Sequence, residues 1–528
     1  MSTSGMDGNK PKGNAITRRD ALKGLVTIPI AGALLYKAFQ NRRIEHLKRN
    51  DLLRELGFTP EHSQPVKVTP ANGSSDTLRI GIIGFGIRGE QLLRAAGFAH
   101  PEVIDQLRLD KASNRADTRL DMYLEQTDLN IQVTAVCEIF SVAKKRAIEA
   151  SANRYRNGAG GEMGTPAKFY SHYKDLLHAE DVDAVIIATP DHWHAEMTIE
   201  AAKAGKHVYI EKPLTRTVKE TYDLERAVLD AGIVLQLGHQ NRQVESHQKA
   251  REVIKKGILG KISMVEVYTN RNSPNGAWVY DLHPDANEET IDWPQFLGNA
   301  PYHPFSREHF FRWRCWWEYS TGLTGDLFTH EYDAINQMMS IGIPHSAVAS
   351  GGIYFFKDGR TVPDTLHVSY EFPKLELNLL YNATLSSSKH RSKTFLGHDA
   401  HMVVDMDMVV FADRESTRFR EMIEQGRIKP EAPILTHIPG RGIDAVSSAT
   451  EQYFAKRGLL YTYQNGRRVD TTHLHIKEWL DVIRNGGQTS CGMPESVEEA
   501  ISAHMGTEAY RRQTKVFWDE DRKEIVSA

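Results

Sequence analysis

DAVIIATPDHWHAEMTIEAAKAGKHVYIEKPL, residues Asp183 to Leu214, decides the fold. Two apolar runs, AVIIA and HVYI, flank a helix-like segment that breaks at Gly205. Continuous apolar strands are buried on both faces, the mark of a parallel sheet covered by crossover helices. In such sheets the reactive groups collect beyond the carboxyl ends of the strands. The first strand delivers Thr189, Pro190, Asp191, His192 and His194 to that edge, and the second delivers Glu211 and Lys212. One unit thus aims a lysine and several polar groups at one crevice.

Upstream, LRIGIIGFGIRGEQLLRAAG begins at Leu78 with a short apolar strand. The loop Gly84-Phe85-Gly86-Ile87-Arg88-Gly89 follows, and then a helix-like run. A lone G-x-G-x-x-G is weak evidence, but here a strand precedes it and a helix follows. Gly84 permits a tight turn, Gly86 lets backbone approach a pyrophosphate, and Gly89 allows close helix–strand packing. The helix N-terminus favours the anion.

The next strand, IQVTAVCEIF, carries Glu138 at its carboxyl end. An acid there bonds ribose hydroxyls and repels a 2′-phosphate, which favours NAD over NADP; the alternative is a surface acid closing a strand. The usual gap from the glycines is ~20 residues, whereas Glu138 stands nearly fifty after Gly89. A polar, solvated insertion between the first helix and second strand accounts for the excess.

Asp326 and His330 stand four apart in TGLTGDLFTHEYDAINQMM, followed by Asp333. Residues i and i+4 share a helix face, so both can enter one pocket. Together the glycine loop, ATPDHWH, EKP and this Asp/His pair resemble the Gfo/Idh/MocA oxidoreductase family over Leu78 to Trp518. The resemblance implies a Rossmann domain followed by a domain built on a large open sheet. It makes Lys212 the lysine beside nicotinamide and substrate hydroxyl, and His330 the acid/base. Asp326 would orient or polarise the pair. Histidine suits proton transfer because its ordinary pKa lies near neutrality. Thr189, Pro190, Asp191, His194 and Glu211 would shape the cofactor pocket beside Lys212. The family's substrates are mostly sugars, inositols and related polyols.

The strand GIVLQLG ends in His239-Gln240-Asn241-Arg242, making Arg242 either a substrate contact or a structural ion pair. REHFFRWRCWWEYSTG, before the Asp/His helix, offers Trp316, Trp317 and Tyr319 as sugar-stacking faces. Core packing is the competing use of such aromatics. Neighbouring His192, Trp193 and His194 splay apart without a Cys/His cluster at ligand spacing, so no metal is expected.

At 528 residues the chain can hold two or three domains. A formal charge of −3 offers no basic field for nucleic acid. Cys137, Cys315 and Cys491 are scattered, form no C-x-x-C, and are expected to be reduced. The expected order is a leader at 1–47, a linker at 48–77, a doubly wound Rossmann domain at 78–240, and an α+β domain at 241–518. In the last, KISMVEVYTN, GGIYFF, TLHVSYEF, LELNLLYNATL and HMVVDMDMVVF read as strands of a mostly antiparallel sheet. By analogy with relatives, that sheet's exposed face would support a homo-oligomer. Residues 413–468 read as a long loop with short helices.

Thr17-Arg18-Arg19-Asp20-Ala21-Leu22-Lys23 precedes the apolar run GLVTIPIAGALLYKAF. This resembles a twin-arginine export signal, implying a protein that folds with its cofactor and is then exported to the periplasm. No clear A-x-A site follows, so the leader is either cleaved or kept as a membrane anchor. Free nicotinamide cofactor is not expected outside the cytoplasm. Three readings follow. The first is a sugar or polyol oxidoreductase with tightly held NAD. The second is a redox-cycling glycoside hydrolase or lyase using the same residues. The third is a silent sugar-binding protein.

Overall fold

The computed structural model describes residues 47–58, 77–154, 162–439, 442–444, 462–464 and 467–528. The arginine pair and apolar run of the expected leader lie outside the described residues, as do residues 59–76 of the expected linker. Residues 47–55 are helical, so the beginning of that linker stretch has regular structure.

The Rossmann half starts with β1 (Leu78–Ile83) and α1 (Ile87–Ala95). The polar insertion follows as α2 (Pro101–Ser113) and α3 (Arg119–Leu124), tied by ion pairs from Arg119 to Asp110 and Asp117. Next come β2 (Ile131–Cys137), α4 (Ser141–Ala152), β3 (Lys168–Tyr170) and α5 (Tyr173–Leu177). β4 (Ala184–Ile187), α6 (His194–Lys203), β5 (His207–Ile210), α7 (Val218–Ala231) and β6 (Leu235–Leu237) complete it. The strands are all parallel and run β3-β2-β1-β4-β5-β6. That order reverses direction between β1 and β4, where open α/β sheets leave their ligand crevice.

The second half contains α8 (Glu245–Lys255), β7 (Ile262–Asn270) and α9 (Thr329–Met339). Its further strands are β8 (Ser346–Gly352), β9 (Thr365–Phe372), β10 (Leu377–Thr384), β11 (Lys393–Gly397), β12 (Ala400–Val404) and β13 (Met408–Ala412). Then come β14 (Pro433–Ile438), β15 (Gly442–Asp444), α10 (Thr471–Asn485), α11 (Met493–Arg512), β16 (Val516–Asp519) and β17 (Glu524–Ser527). These strands form one eleven-stranded sheet, β15-β14-β13-β12-β11-β7-β10-β9-β8-β16-β17. Only the β7–β10 pair is parallel. Alternate residues of β9 and β10 are buried, so that Tyr370 and Tyr381 meet Phe328 on the covered face.

Several expectations change here. HMVVDMDMVVF is a hairpin, β12 and β13, because Asp405–Asp407 turns the chain. The strand assigned to GGIYFF lies upstream and ends at Gly352. Beyond it, the amides of Tyr354, Phe355 and Phe356 donate to the Asp364 carboxylate instead of a neighbouring strand. The region 413–468 contributes β14 and β15, and the sheet continues past residue 518 to Ser527. Finally, α10 packs Ile476, Trp479 and Leu480 among Ile80, Ile82, Leu92 and Tyr209 of the Rossmann core. The first domain is therefore completed by a helix from far along the chain.

Candidate active site

The glycine loop leaves β1 through Gly84, whose φ is +86° and whose added Cβ would stand 2.7 Å from the Ala188 carbonyl oxygen. A Cβ at Gly89 would lie 2.4 Å from the Gly84 carbonyl oxygen, so α1 sits hard against the turn. Gly86 caps α1 and differs from both: a Cβ there would meet nothing within 4 Å. The protein itself does not demand glycine at 86, but a dinucleotide approaching the amides of that helix start would. Ile87 beside it is 66% exposed.

Glu138 braces this loop. One carboxylate oxygen accepts from the Phe85 amide at 2.5 Å, and the other from the Ile139 and Phe140 amides at 2.8 and 2.9 Å. Burial pushes its carboxyl up, and the three amides oppose that shift. A carboxylate has roughly four acceptor positions, so one remains for a ribose hydroxyl. Glu138→Ala would strand the Phe85 amide. We expect a loss of about 1–3 kcal/mol, seen as a lowered unfolding midpoint together with weaker NAD binding by calorimetry.

Arg88 and Glu211 are spent largely on each other. Nε of Arg88 donates to Glu211 at 2.7 Å, and its Nη2 donates to Gln240 at 3.1 Å. This partly buried pair joins α1 to the loop after β5. His194 faces the carbonyl oxygens of Pro213 at 2.6 Å and Thr189 at 2.9 Å, which clamps the EKP loop onto the end of β4. Asp191 accepts from the amide and hydroxyl of Thr321 at 3.0 and 2.8 Å, tying that edge to the second domain. The hydroxyl of Thr189 is buried without a hydrogen-bond partner among the described residues.

A strap from the second half crosses this edge. Phe140 and Ile291 form a β-bridge, the Ser141 amide donates to Thr290, and the Asp292 amide donates to Ile139. Farther along, His192 Nε2 lies 2.7 Å from the Phe296 carbonyl oxygen, and Trp193 Nε1 donates to it at 3.0 Å. Burial pushes the His192 ring down to about 3, so the uncharged ring serves there as a donor. Beneath the strap lies a cleft of about 660 Å³ whose lining includes Glu138, Phe169, Glu288, Glu289, Asp292 and Trp293. The cleft marks the Glu138 end of the crevice, away from Lys212.

At the other end, Lys212 Nζ donates to the Asp326 carboxylate at 2.8 Å and to its carbonyl oxygen at 2.7 Å. Asp326 also accepts from Arg314 Nε at 2.9 Å and from Trp278 Nε1 at 2.9 Å. Burial pushes the Asp326 carboxyl up, yet Lys212 and Arg314 overcome it and hold the group well below the usual carboxylate range. Asp326 lies in a π-helical turn, Thr324–Phe328, that runs directly into α9, which carries His330. Such turns are frequent at functional sites. Burial, and then Lys212, hold His330 well below its ordinary value, so it is neutral, and its Nδ1 has no partner among the described residues. An ammonium fixed by a carboxylate and an uncharged imidazole thus share one crevice.

Trp278 and Arg314 carry no motif. Arg314 sits inside the aromatic-rich segment, while Trp278 adopts a left-handed backbone (φ 66°), rare for a bulky residue.

Arg242, expected as a substrate contact or an ion pair, is the latter: it is buried, pairs with Asp333 at 2.7 Å and donates to the Ser490 carbonyl oxygen. Trp316 stacks on His309 with centroids 3.9 Å apart. Tyr319 is fully buried between Phe296 and His192, its hydroxyl 3.2 Å from His309. Trp317 lies under Arg511 and against Gly322. All three aromatics are thus engaged in packing.

Residues 78–239 match the family model of the GFO_IDH_MocA oxidoreductases, described as an oxidoreductase family with an NAD-binding Rossmann fold. This Rossmann domain is a Gfo/Idh/MocA domain. Levoglucosan dehydrogenase of Pseudarthrobacter phenanthrenivorans is 31% identical over 192 residues, 34% of this chain and 42% of that protein. A glycosyl hydrolase family 109 protein of Shewanella putrefaciens is 29% identical over 172 residues, 31% of this chain and 30% of that protein. These matches therefore span less than half the length of the relatives. A solved structure of levoglucosan dehydrogenase in complex with NADH shares the fold more widely. It superposes with a TM-score of 0.54 at 17% identity, covering 84% of this chain and 99% of that one. The likeness in fold to that structure therefore extends across both halves of the chain.

Proposed function

We propose that this chain is an NAD-dependent oxidoreductase acting on a CH–OH group of a sugar or polyol, with its cofactor tightly held. The observation that carries this reading is the Lys212–Asp326 pair sharing a crevice with neutral His330, on the same sheet edge as the glycine loop. Neutral His330 takes the hydroxyl proton, and the Lys212 ammonium stabilises the alkoxide character that develops on the same oxygen. Asp326, gripped by Arg314 and Trp278, fixes the lysine's position. Bound NAD supplies the hydride acceptor. The acidic lining of Glu138, Glu288, Glu289 and Asp292 opposes a 2′-phosphate and supports NAD over NADP.

A second reading is a redox-cycling glycoside hydrolase or lyase. Oxidation at one carbon acidifies the neighbouring C–H, a glycosidic group is eliminated, water adds, and the hydride returns. The strap over the Glu138 end of the crevice and the match to a family 109 glycosyl hydrolase both favour it. A silent sugar-binding protein is disfavoured, because such a role needs no buried lysine–aspartate pair beside a neutral histidine.

The test is to purify the full chain, record the absorbance of any co-purifying nicotinamide, and add sugars and glycosides. Stoichiometric reduction of bound cofactor is expected for the first reading. Glycoside cleavage without net reduction selects the second. Absence of bound cofactor, with no spectral change on adding NAD, would sink both.

The arginine pair at Arg18 and Arg19 supports export to the periplasm. Arg18→Lys with Arg19→Lys should hold the protein in the cytoplasm on fractionation, and unchanged export would refute this route. Exposed residues on β8 and β9, Val348 and His367 among them, support association through the open sheet. A monomeric mass by light scattering would count against that.

A further inference from the structure

Directly inside His330 lies a polar cluster that the scheme above leaves unused. His239, just after β6, presents its ring to His330 edge-on, with centroids 5.2 Å apart and planes at 88°. On its other side, His239 Nε2 stands 3.5 Å from a carboxylate oxygen of Glu499 on α11. Both side chains are buried, at 1% and 0% exposure. Neither ring nitrogen of His239 and neither oxygen of Glu499 has a hydrogen-bond partner among the described residues. Buried unpaired polar atoms cost about 1–3 kcal/mol each. Two of these four atoms face each other at 3.5 Å, and the group stands beside a candidate base.

The charges nearby supply a reason for this arrangement. Lys212, His239, Asp326 and Arg88 face His330, and burial, then Lys212 and His239, leave it a weak base. Burial pushes the Glu499 carboxyl up and Asp333 adds to that, while His239 and Lys212 oppose it; Asp333 is itself matched by Arg242, with His475 close by. Cys491 and Glu495 complete the surroundings, and burial keeps the Cys491 thiol protonated. Arg88, Lys212 and Arg314 outnumber Glu211 and Asp326 by one charge, and Glu499 is a further carboxyl group beside the cluster. Resting on the oxidoreductase reading, we propose that Glu499, set against His239, is a positioning residue that raises the proton affinity of His330. When the substrate O–H bond breaks, its proton binds a ring nitrogen of His330. The C–H electron pair leaves as hydride to the nicotinamide of bound NAD. Glu499 then offsets the new imidazolium, with His239 holding the carboxylate and the ring in register.

E499Q and H239Q, compared with wild type and E499D, test this. In E499Q the His330 ring, followed by nitrogen NMR of labelled protein, should titrate at lower pH than in wild type. The rate of sugar oxidation at neutral pH should fall ~10-fold or more, with KM and bound NAD unchanged. H239Q, which removes a group that depresses His330, should not lower that titration, and E499D should restore much of the rate. A His330 titration unmoved or raised in E499Q overturns the proposal, as does a loss of bound NAD that E499D shares. The NMR readout needs no turnover, so it stands even if the sugar-oxidation reading fails in the wild type.

Discussion

Lys212→Met is expected to lose at least ~10²–10³-fold in turnover while retaining its nicotinamide cofactor. The methionine keeps the stem's volume but removes the only ammonium bonded to Asp326 among the described residues. Asp326 stays anchored by Arg314 and Trp278, so the crevice should keep its shape. The sign of the accompanying pH effect follows from His330. Burial depresses that ring first and Lys212 second, so removing the lysine raises it toward its ordinary value. Oxidation needs the neutral ring, so the acid limb of the residual activity should move to higher pH. Rapid-mixing absorbance at 340 nm across a pH series reads both effects. Near-normal turnover would refute the assignment of Lys212.

Arg242→Ala should cost about 3–5 kcal/mol of stability at neutral pH, because it leaves the Asp333 charge buried and unpaired. Burial pushes the Asp333 carboxyl up, but Arg242 holds it below its ordinary value in the wild type. That depressed group contributes stability above the unfolded carboxyl's pKa of about 3.9, and loses it as pH falls through the folded value. In the variant burial is no longer opposed by Arg242, so the group is raised and acid relieves the damage. Urea unfolding at pH 7 and pH 5 should show a smaller deficit at pH 5. An equal deficit at both values would mean that lost packing, not stranded charge, is responsible.

The strand-edge chemistry was legible because it is local. Apolar runs place Glu138, Thr189 and Lys212 at the ends of β2, β4 and β5, and the glycine spacing places the turn between them. The Asp326/His330 spacing was also visible, although the structure inserts a π-helical turn where a regular helix was expected. Partners brought in by tertiary structure were not legible. Trp278 and Arg314 reach Asp326 from segments without periodicity, and Glu499 meets His239 from the other end of the chain. Arg242 was ambiguous because a cation after a buried strand serves a substrate or an interior carboxylate equally well. Only the position of Asp333 settles which. β15 was missed because a three-residue edge strand carries little apolar pattern, and β14, though apolar and buried, stands as one short run between polar segments.

The seating of α10 in the Rossmann core sets a timetable for synthesis. A ribosome that has finished β6 must add more than two hundred residues before Trp479 emerges to cover Tyr209. At translation rates of ~5–20 residues per second, the nascent sheet waits roughly ten to fifty seconds with one face unfinished. The nucleotide fold is among the earliest parts of the chain to be made and among the last to be sealed.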